Sequence, residues 1–204
     1  MIGRVATSAL VAAALLSAGS ATAADPVLVS VRVEGKTTTL FGATEPRALA
    51  ATPLDALEAA SRAAELYYHV TTTSFGPYVD QIGRYGGSGS AGWVFKVDDA
   101  SPPVGADKVE LKPGDRVLWY YADFSGGTGP KTLRLTRAGR RSCYRAVAYD
   151  DAGAPSAPAA AVLRVDGRIV KTQGATQADL GCVGKHRGLV RATAPGMVRS
   201  NALP

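Results

Sequence analysis

The sequence predicts an α+β domain followed by a small all-β antiparallel sandwich, with a cleaved signal peptide before them. Three observations favour this fold class. The first half has one helical segment among several strand-like segments, and the second half has five or six short strand-like segments without a helix. A Gly- and Pro-rich stretch at residues 125–130 separates the halves. We therefore place domains at residues 25–124 and 132–204, joined by a linker at residues 125–131.

Residues 1–24 have the composition of a signal peptide. Arg4 provides positive charge, residues 9–18 form an apolar run, and residues 21–23 are the small residues after which exported precursors are cleaved. The apolar run is shorter than the roughly 20 residues of a transmembrane helix. We expect a secreted or cell-surface protein without a transmembrane segment after cleavage; the alternative is a disordered Ala-rich tail.

Charged and aromatic residues divide unevenly between the halves. Residues 25–130 contain 9 Lys and Arg against 13 Asp and Glu, whereas residues 131–204 contain 13 against 4. Both Trp, all four Phe and six of the eight Tyr precede the linker. Aromatic side chains are enriched at recognition surfaces, so the first half is the candidate binding domain.

The two cysteines, Cys143 and Cys182, both lie in the second half. A lone cysteine pair in an exported protein is typical of a disulfide. Closing a loop of about 40 residues would stabilise the fold by roughly 4 kcal/mol. A metal site or a reactive thiol is the alternative, but His69 and His186 do not complete a ligand set.

The first half begins with a predicted hairpin and a predicted helix. Residues 27–33 are rich in β-branched side chains, and residues 37–41 follow after a turn as the second strand. Thr52 is a suitable N-cap, Pro53 suits the first helical position, and the apolar pattern predicts a helix that ends near Leu66.

Further strands are predicted after the helix, at residues 67–73 and 78–82. Two aromatic strands follow, one at residues 92–98 and one ending in Trp119, Tyr120 and Tyr121. A hairpin, one helix and then several strands describe a sheet wrapped around a single helix. This order of elements is the β-grasp arrangement.

Three motifs of the first half resemble the C-terminal domain of transcobalamin and intrinsic factor. They are Thr-Pro-Leu-Asp-Ala-Leu at residues 52–57, Gly-Trp-Val-Phe-Lys-Val-Asp at residues 92–98, and Leu-Lys-Pro-Gly-Asp at residues 111–115 with Trp119. The resemblance covers about residues 27–124. It implies a β domain that closes over cobalamin or another corrinoid, which in that family is held mainly by a separate helical barrel.

The resemblance also implies a set of ligand-binding residues. Trp93 matches the family's Trp and would stack on a flat ligand, with Phe95 on the same strand face. Tyr78 and Tyr120 complete the predicted set. Core packing is the alternative for Trp93 and Phe95, because they alternate along the strand as buried residues would.

No assembled catalytic or metal-binding motif is found, so we expect neither enzymatic activity nor a cofactor. Residues 87–92 satisfy the pattern Gly-x-Gly-x-x-Gly, but a strand follows them, whereas a dinucleotide-binding loop precedes a helix. We interpret this segment as a rim loop.

The second half predicts short strands at residues 132–136, 144–149, 161–165, 169–172 and 189–193. Val-Leu-Arg-Val-Asp-Gly-Arg at residues 162–168 and the segment at residues 191–201 resemble immunoglobulin-like and carboxypeptidase-regulatory-like modules of bacterial surface proteins. The resemblance covers about residues 131–201 and implies a stalk or spacer.

Arginines crowd the start of the second domain. Arg137, Arg140 and Arg141 are candidates for contact with an anionic envelope polymer through screened charge attraction. A solvated charged face is the alternative. Nucleic acid is not an expected partner, because no aromatic platform alternates with these arginines.

Two hypotheses of function follow. In the first, the protein is an exported, non-enzymatic binding module that recognises a small flat ligand or a partner at the cell envelope. In the second, it is a structural or adhesive surface protein without a small-molecule ligand. A concave site beside Trp93 and Tyr78 would favour the first hypothesis, and a flat exposed edge strand would favour a protein partner.

Overall fold

The computed structural model describes residues 24–74, 76–174 and 177–204. They form mostly β-strand, with one helix in the part of the chain that is described. The predicted signal peptide lies outside the described residues except for Ala24. Within the described ranges, no helix has the length and apolar character that a membrane span requires.

The first half contains one helix and eight described strands. They are β1 (Val27–Glu34), β2 (Thr39–Phe41), β3 (Arg47–Ala50), α1 (Pro53–Ala64), β4 (Tyr68–Thr73), β5 (Gly76–Ile82), β6 (Tyr85–Gly86), β7 (Ala91–Val97) and β8 (Arg116–Asp123). Strands β1, β2, β3, β7 and β8 form one sheet, and β4, β5 and β6 form a smaller antiparallel sheet.

Strand β1 organises the larger sheet. It pairs in parallel with β8, with Ser30 opposite Arg116 and Glu34 opposite Tyr120. Its other edge pairs antiparallel with β2 and β3, and β7 pairs antiparallel with the outer side of β8. The predicted hairpin of β1 and β2 is confirmed, whereas β3 was not predicted.

Helix α1 covers one face of this sheet. Thr52 caps it as predicted: the Asp55 N–H donates to Thr52 Oγ1 at 3.1 Å, and the Thr52 N–H donates to the Asp55 carboxylate at 2.9 Å. The helix ends two residues before the predicted Leu66, because Glu65 adopts a left-handed φ of 50°. Its buried face packs on the sheet residues Val29, Val31, Val33, Val117 and Trp119.

The second half contains nine described strands. They are β9 (Thr132–Arg137), β10 (Cys143–Tyr149), β11 (Pro155–Ser156), β12 (Val162–Val165), β13 (Arg168–Lys171), β14 (Gln173–Gly174), β15 (Asp179–Cys182), β16 (Val190–Thr193) and β17 (Ala202–Leu203). Five of them correspond to the predicted strands. The short strands β11, β14, β15 and β17 were not predicted.

These strands form two antiparallel sheets, consistent with a small all-β sandwich. One sheet contains β9, β10, β11, β14 and β15, and the other contains β12, β13, β16 and β17. Side chains from both sheets, among them Leu133, Tyr144, Leu163 and Val190, form one core. The predicted disulfide is confirmed, since Cys143 and Cys182 are joined between β10 and β15.

The second half covers the face of the larger sheet that α1 leaves open. Leu118, Tyr120 and Ala122 of β8 are buried there with Val198 of the second half. Lys96 of β7 is fully buried, and its Nζ donates to the carbonyl oxygens of Asp150 at 2.6 Å and Tyr149 at 3.2 Å. The two halves therefore share an interface that is partly apolar and partly hydrogen-bonded.

Glu34 lies at the centre of a charged cluster in this interface. Its side chain is fully buried, and it accepts hydrogen bonds from Arg191, Arg199 and Thr39. Arg32, buried on the same strand, lies 3.5 Å from the Glu34 carboxylate and donates to the Arg199 carbonyl oxygen at 2.7 Å. Burial lowers the pKa of Arg32 and of Arg191, so both cations depend on the nearby carboxylate.

Replacing Glu34 tests how much this cluster stabilises the protein. Glu34→Gln leaves Arg191 and Arg199 without the buried carboxylate that they share, and we expect a loss of about 3–5 kcal/mol in the free energy of unfolding. Urea denaturation measures this loss. The control is Glu58→Gln, which removes the ion pair with the exposed Arg62 but keeps an oxygen that can accept from the Tyr68 hydroxyl, so it should cost about 1 kcal/mol or less. Equal losses in the two variants would contradict the role given to Glu34.

Candidate functional site

A groove runs beside β7, the outermost strand of the larger sheet. It has a volume of about 340 Å³, and we call it the aromatic groove. Its lining comprises Pro77, Tyr78 and Val79 of β5, Trp93, Val94 and Phe95 of β7, Trp119 and Tyr120 of β8, and Ser101, Pro102, Gly105, Ala106, Phe124 and Asp151 from connecting segments. The structure thus brings together all four residues that the sequence predicted as ligand contacts.

Strand β7 presents a backbone edge to the groove. Just before β7, Ser90 O accepts a hydrogen bond from Phe124 N at 3.0 Å. In the same register, the even-numbered residues of β7 form the backbone hydrogen bonds to β8. Phe95 lies opposite Trp119 in a pair that exchanges no backbone hydrogen bonds. Its N–H and C=O therefore point away from β8. Among the described residues, no backbone group from another segment bonds to them.

Tyr78 forms the rim of the groove. Its side chain is 42% exposed, and its hydroxyl lies against the backbone of β7 at Gly92. A Cβ atom at Gly92 would lie only 2.4 Å from the Tyr78 hydroxyl oxygen, so glycine at 92 leaves room for this contact. Partial burial raises the pKa of Tyr78, and the charge of Asp80 adds to this effect.

The two tryptophans are core residues that also line the groove. Trp93 and Trp119 are 1% and 2% exposed. Trp93 Nε1 donates to the Tyr85 carbonyl oxygen at 2.7 Å, and Trp119 Nε1 donates to that of Pro53 at 2.9 Å. Core packing of Trp93, the alternative considered from sequence, is therefore correct and compatible with groove lining.

Phe95 is the most accessible ring within the wall formed by β7. It is half-buried, and its ring centroid lies 5.2 Å from that of Trp119 in a tilted arrangement. An aromatic pair in this arrangement offers an apolar surface on which a flat ring can stack. Phe95 and Tyr78 are thus better placed than Trp93 to contact a ligand.

Polar groups line the end of the groove near the second half. Tyr120 is 1% exposed, and its hydroxyl donates to Asp151 Oδ1 at 3.5 Å. Burial, together with the charge of Asp151, raises the pKa of Tyr120, so this phenol stays protonated at neutral pH. Ser101 Oγ and Lys96 Nζ lie 3.4 and 3.6 Å from the same carboxylate. A ligand in this groove would contact aromatic side chains along the walls, and the Tyr120 hydroxyl and the Asp151 carboxylate at one end.

Three residues outside the groove form a Thr–Asp–His cluster on the hairpin of β4 and β5. Asp80 accepts from Thr71 Oγ1 at 2.6 Å and lies 2.7 Å from His69 Nδ1. The carboxylate stands between the hydroxyl and the imidazole, so His69 does not contact Thr71 as a general base would contact a nucleophile. Across the described ranges, no group of three or more His, Cys, Asp or Glu residues could hold a metal ion.

The predicted envelope-contact residues lie on the second half and separate into two places. Arg137 and Arg141 line one surface pocket together with Lys185 and His186. Arg140 lines a different pocket. The disulfide of Cys143 lines that second pocket and holds the adjacent loops together.

Several lining residues were not predicted from sequence. Phe124 follows directly after the second aromatic strand and could have been proposed from that position. The backbone bond from Ser101 N to Asp151 O at 2.8 Å brings a first-half loop to a second-half turn. No local pattern indicates this long-range contact, so Asp151 could not have been identified.

One family model matches the chain, over residues 50–123, and it is described as a domain of unknown function, DUF4430. The matched segment includes α1, β7, β8 and most of the groove lining. No significant match was found among curated proteins.

Replacing Trp93 separates its structural role from ligand contact. Trp93→Ala removes a fully buried ring and its hydrogen bond to Tyr85, so we expect the free energy of unfolding to fall by about 3–5 kcal/mol. Tyr78→Ala, at the exposed rim, should cost about 1 kcal/mol or less. Urea denaturation of both variants checks this difference, and a Trp93→Ala protein as stable as the wild type would show that the ring is not part of the core.

Proposed function

We propose that this protein is an exported, non-enzymatic binding module whose aromatic groove takes up a small flat ligand. One observation carries the proposal: the four residues predicted as ligand contacts, on three different strands, line one groove. A concave, largely apolar site with a few polar groups at one end is typical of small-molecule sites. The disulfide is compatible with an extracytoplasmic location.

The resemblance to transcobalamin supports a corrinoid-like ligand. The sheet with β1 parallel to β8 and one helix on its face fits a β-grasp domain over residues 25–124. The two antiparallel sheets fit an immunoglobulin-like spacer over residues 132–204. The family match over residues 50–123 supports treating the groove-bearing segment as a module that recurs in other proteins.

The volume of the groove limits what it can hold. At about 340 Å³ it lies near the lower end of the range for sites that take drug-sized ligands. A whole corrinoid would project beyond the rim, with only one edge of the ring against Phe95 and Tyr78. We therefore expect a compact planar ring system to bind at least as well as cobalamin.

Ligand titration tests this proposal. The purified protein is titrated with cobalamin, cobinamide, protoporphyrin and riboflavin, with tryptophan fluorescence and ligand absorbance as readouts. We expect a Kd in the micromolar range for at least one planar ligand. Phe95→Ala should weaken that binding by about fivefold, because it removes a stacking contact of about 1 kcal/mol.

The matched control is Tyr67→Ala, which removes an exposed ring that does not line the groove. It should leave the affinity unchanged. Binding that is equally strong in folded Phe95→Ala and wild-type protein would place the ligand elsewhere. No binding of any of these ligands up to about 1 mM, weaker than about −4 kcal/mol, would reject the small-ligand proposal.

A second candidate function is favoured by the backbone edge of β7. An extended segment of a partner protein could pair with Phe95 and place side chains in the groove, as in β-strand addition. This is the surface-protein alternative, with the groove as a protein contact. Hydrogen exchange distinguishes the two functions, because strand addition would protect the Phe95 amide whereas a stacked ring would leave it exchanging.

A further inference from the structure

A concave basic surface lies at one end of the second half, apart from the aromatic groove. Two pockets adjoin there, because Lys185 and His186 line both of them. Arg137 and Arg141 also line the first pocket, and Arg168 and Arg187 also line the second. We call these six residues the basic strip.

The fold holds the basic strip in place. The disulfide joins the strands that carry the loops before Cys143 and after Cys182. Val183 N also donates to Ser142 O at 2.9 Å, directly between these loops. Arg141 and Lys185 therefore project from two segments whose bases are linked covalently and by a hydrogen bond.

His186 is held from both sides of its ring. Its Nε2 lies 3.0 Å from the hydroxyl of Tyr144, and its Nδ1 lies 2.9 Å from the Gly188 carbonyl oxygen. The Tyr144 hydroxyl also lies 2.8 Å from the Pro204 carbonyl oxygen, so these contacts fix the orientation of the ring in the wall of the pocket.

The strip carries more positive than negative charge. Among the described residues, none of its six members forms an ion pair with Asp or Glu. The carboxylate that lines it, Asp166, accepts from the backbone N–H groups of Arg187 at 2.9 Å and Gly188 at 2.7 Å, and these bonds lower its pKa. Cations gathered in a concavity raise the local potential, which attracts anions.

Some members of the strip are held by the protein and others are available. Arg137 donates to the Pro204 carbonyl oxygen and lies over the Tyr144 ring, and Arg168 donates to the Lys185 carbonyl oxygen. The side chains of Arg141, Lys185 and Arg187 donate no hydrogen bond within the described structure. Three cations with free donors therefore lie along two adjoining pockets.

We propose that the basic strip binds a linear polymer that carries phosphate groups. Guanidinium and ammonium groups form their strongest hydrogen bonds with such oxyanions, and Arg can bind two phosphate oxygens at once. Successive cations along two adjoining pockets match successive charges along a chain. The described lining includes no Trp, Tyr or Phe ring on which nucleic-acid bases could stack, and the imidazole of His186 is held by Tyr144 and Gly188, which favours a polymer recognised by its charge.

Binding of inorganic phosphate, tripolyphosphate and long-chain polyphosphate to the purified protein tests this proposal by calorimetry. We expect the affinity to rise along this series and to fall with added salt. Arg141→Gln with Lys185→Gln should weaken binding of long-chain polyphosphate by at least about tenfold, because two charge-assisted contacts are lost.

The matched control is Arg145→Gln with Lys171→Gln. It removes two exposed positive charges from the same half but outside the strip, and it should weaken binding by less than about twofold. Equal weakening in both double variants would overturn the proposal, since net charge alone would then explain binding.

Two further probes distinguish a phosphate polymer from a membrane surface and from a nucleic acid. Vesicles of phosphatidylglycerol and phosphatidylcholine, and a single-stranded DNA oligonucleotide with the same number of phosphates, are compared with polyphosphate. Tighter binding of either one, reduced in the Arg141→Gln and Lys185→Gln protein, would overturn the polymer proposal in favour of a membrane surface or a nucleic acid. Weaker binding of both supports it.

Discussion

The carboxylate of Glu34, buried between the two halves, governs how they pack together. A carboxylate taken out of water costs several kcal/mol unless cations and donors replace its hydration. Arg191 and Arg199 of the second half supply them, and Arg32 lies beside it on β1. Since neither half alone provides all these partners, the cluster makes the relative position of the halves energetically specific. Lys96 adds to this from β7, because its buried ammonium group is solvated by carbonyl oxygens of the second half.

The groove depends on the same interface. Its aromatic wall belongs to β7 and β8, but Asp151, beside the Tyr120 hydroxyl, comes from the second half. Separation of the halves would expose Leu118 and Tyr120 and would remove the polar end of the site. The second half is therefore more than a spacer in this arrangement, because it contributes Asp151 to the lining of the groove. The basic strip lies on that half as well, so the chain presents two chemically different surfaces.

Local patterns predicted much of the fold. Thr52 and Pro53 predicted where α1 begins, and β-branched runs predicted β1, β9 and β12. Short strands such as β15 were missed, because pairing with β10 defines them rather than their own residues. The four groove residues were predicted through a family resemblance, and the structure adds that Trp93 is mainly a core residue. Asp151 and the arginine partners of Glu34 could not be predicted, since contacts between residues so far apart in the chain leave no periodic signal.

Urea unfolding of the unmodified protein, followed with one probe in each half, tests whether the two halves form one cooperative unit. Tryptophan fluorescence reports on the first half, because Trp93 and Trp119 both lie there. Hydrogen exchange of β9 and β10, measured by mass spectrometry at each urea concentration, reports on the second half. Because the halves share one interface, we expect both probes to change at the same urea concentration, as one cooperative unit requires. Two separate transitions would contradict it, because the halves would then be independent and the shared interface would not hold the groove together.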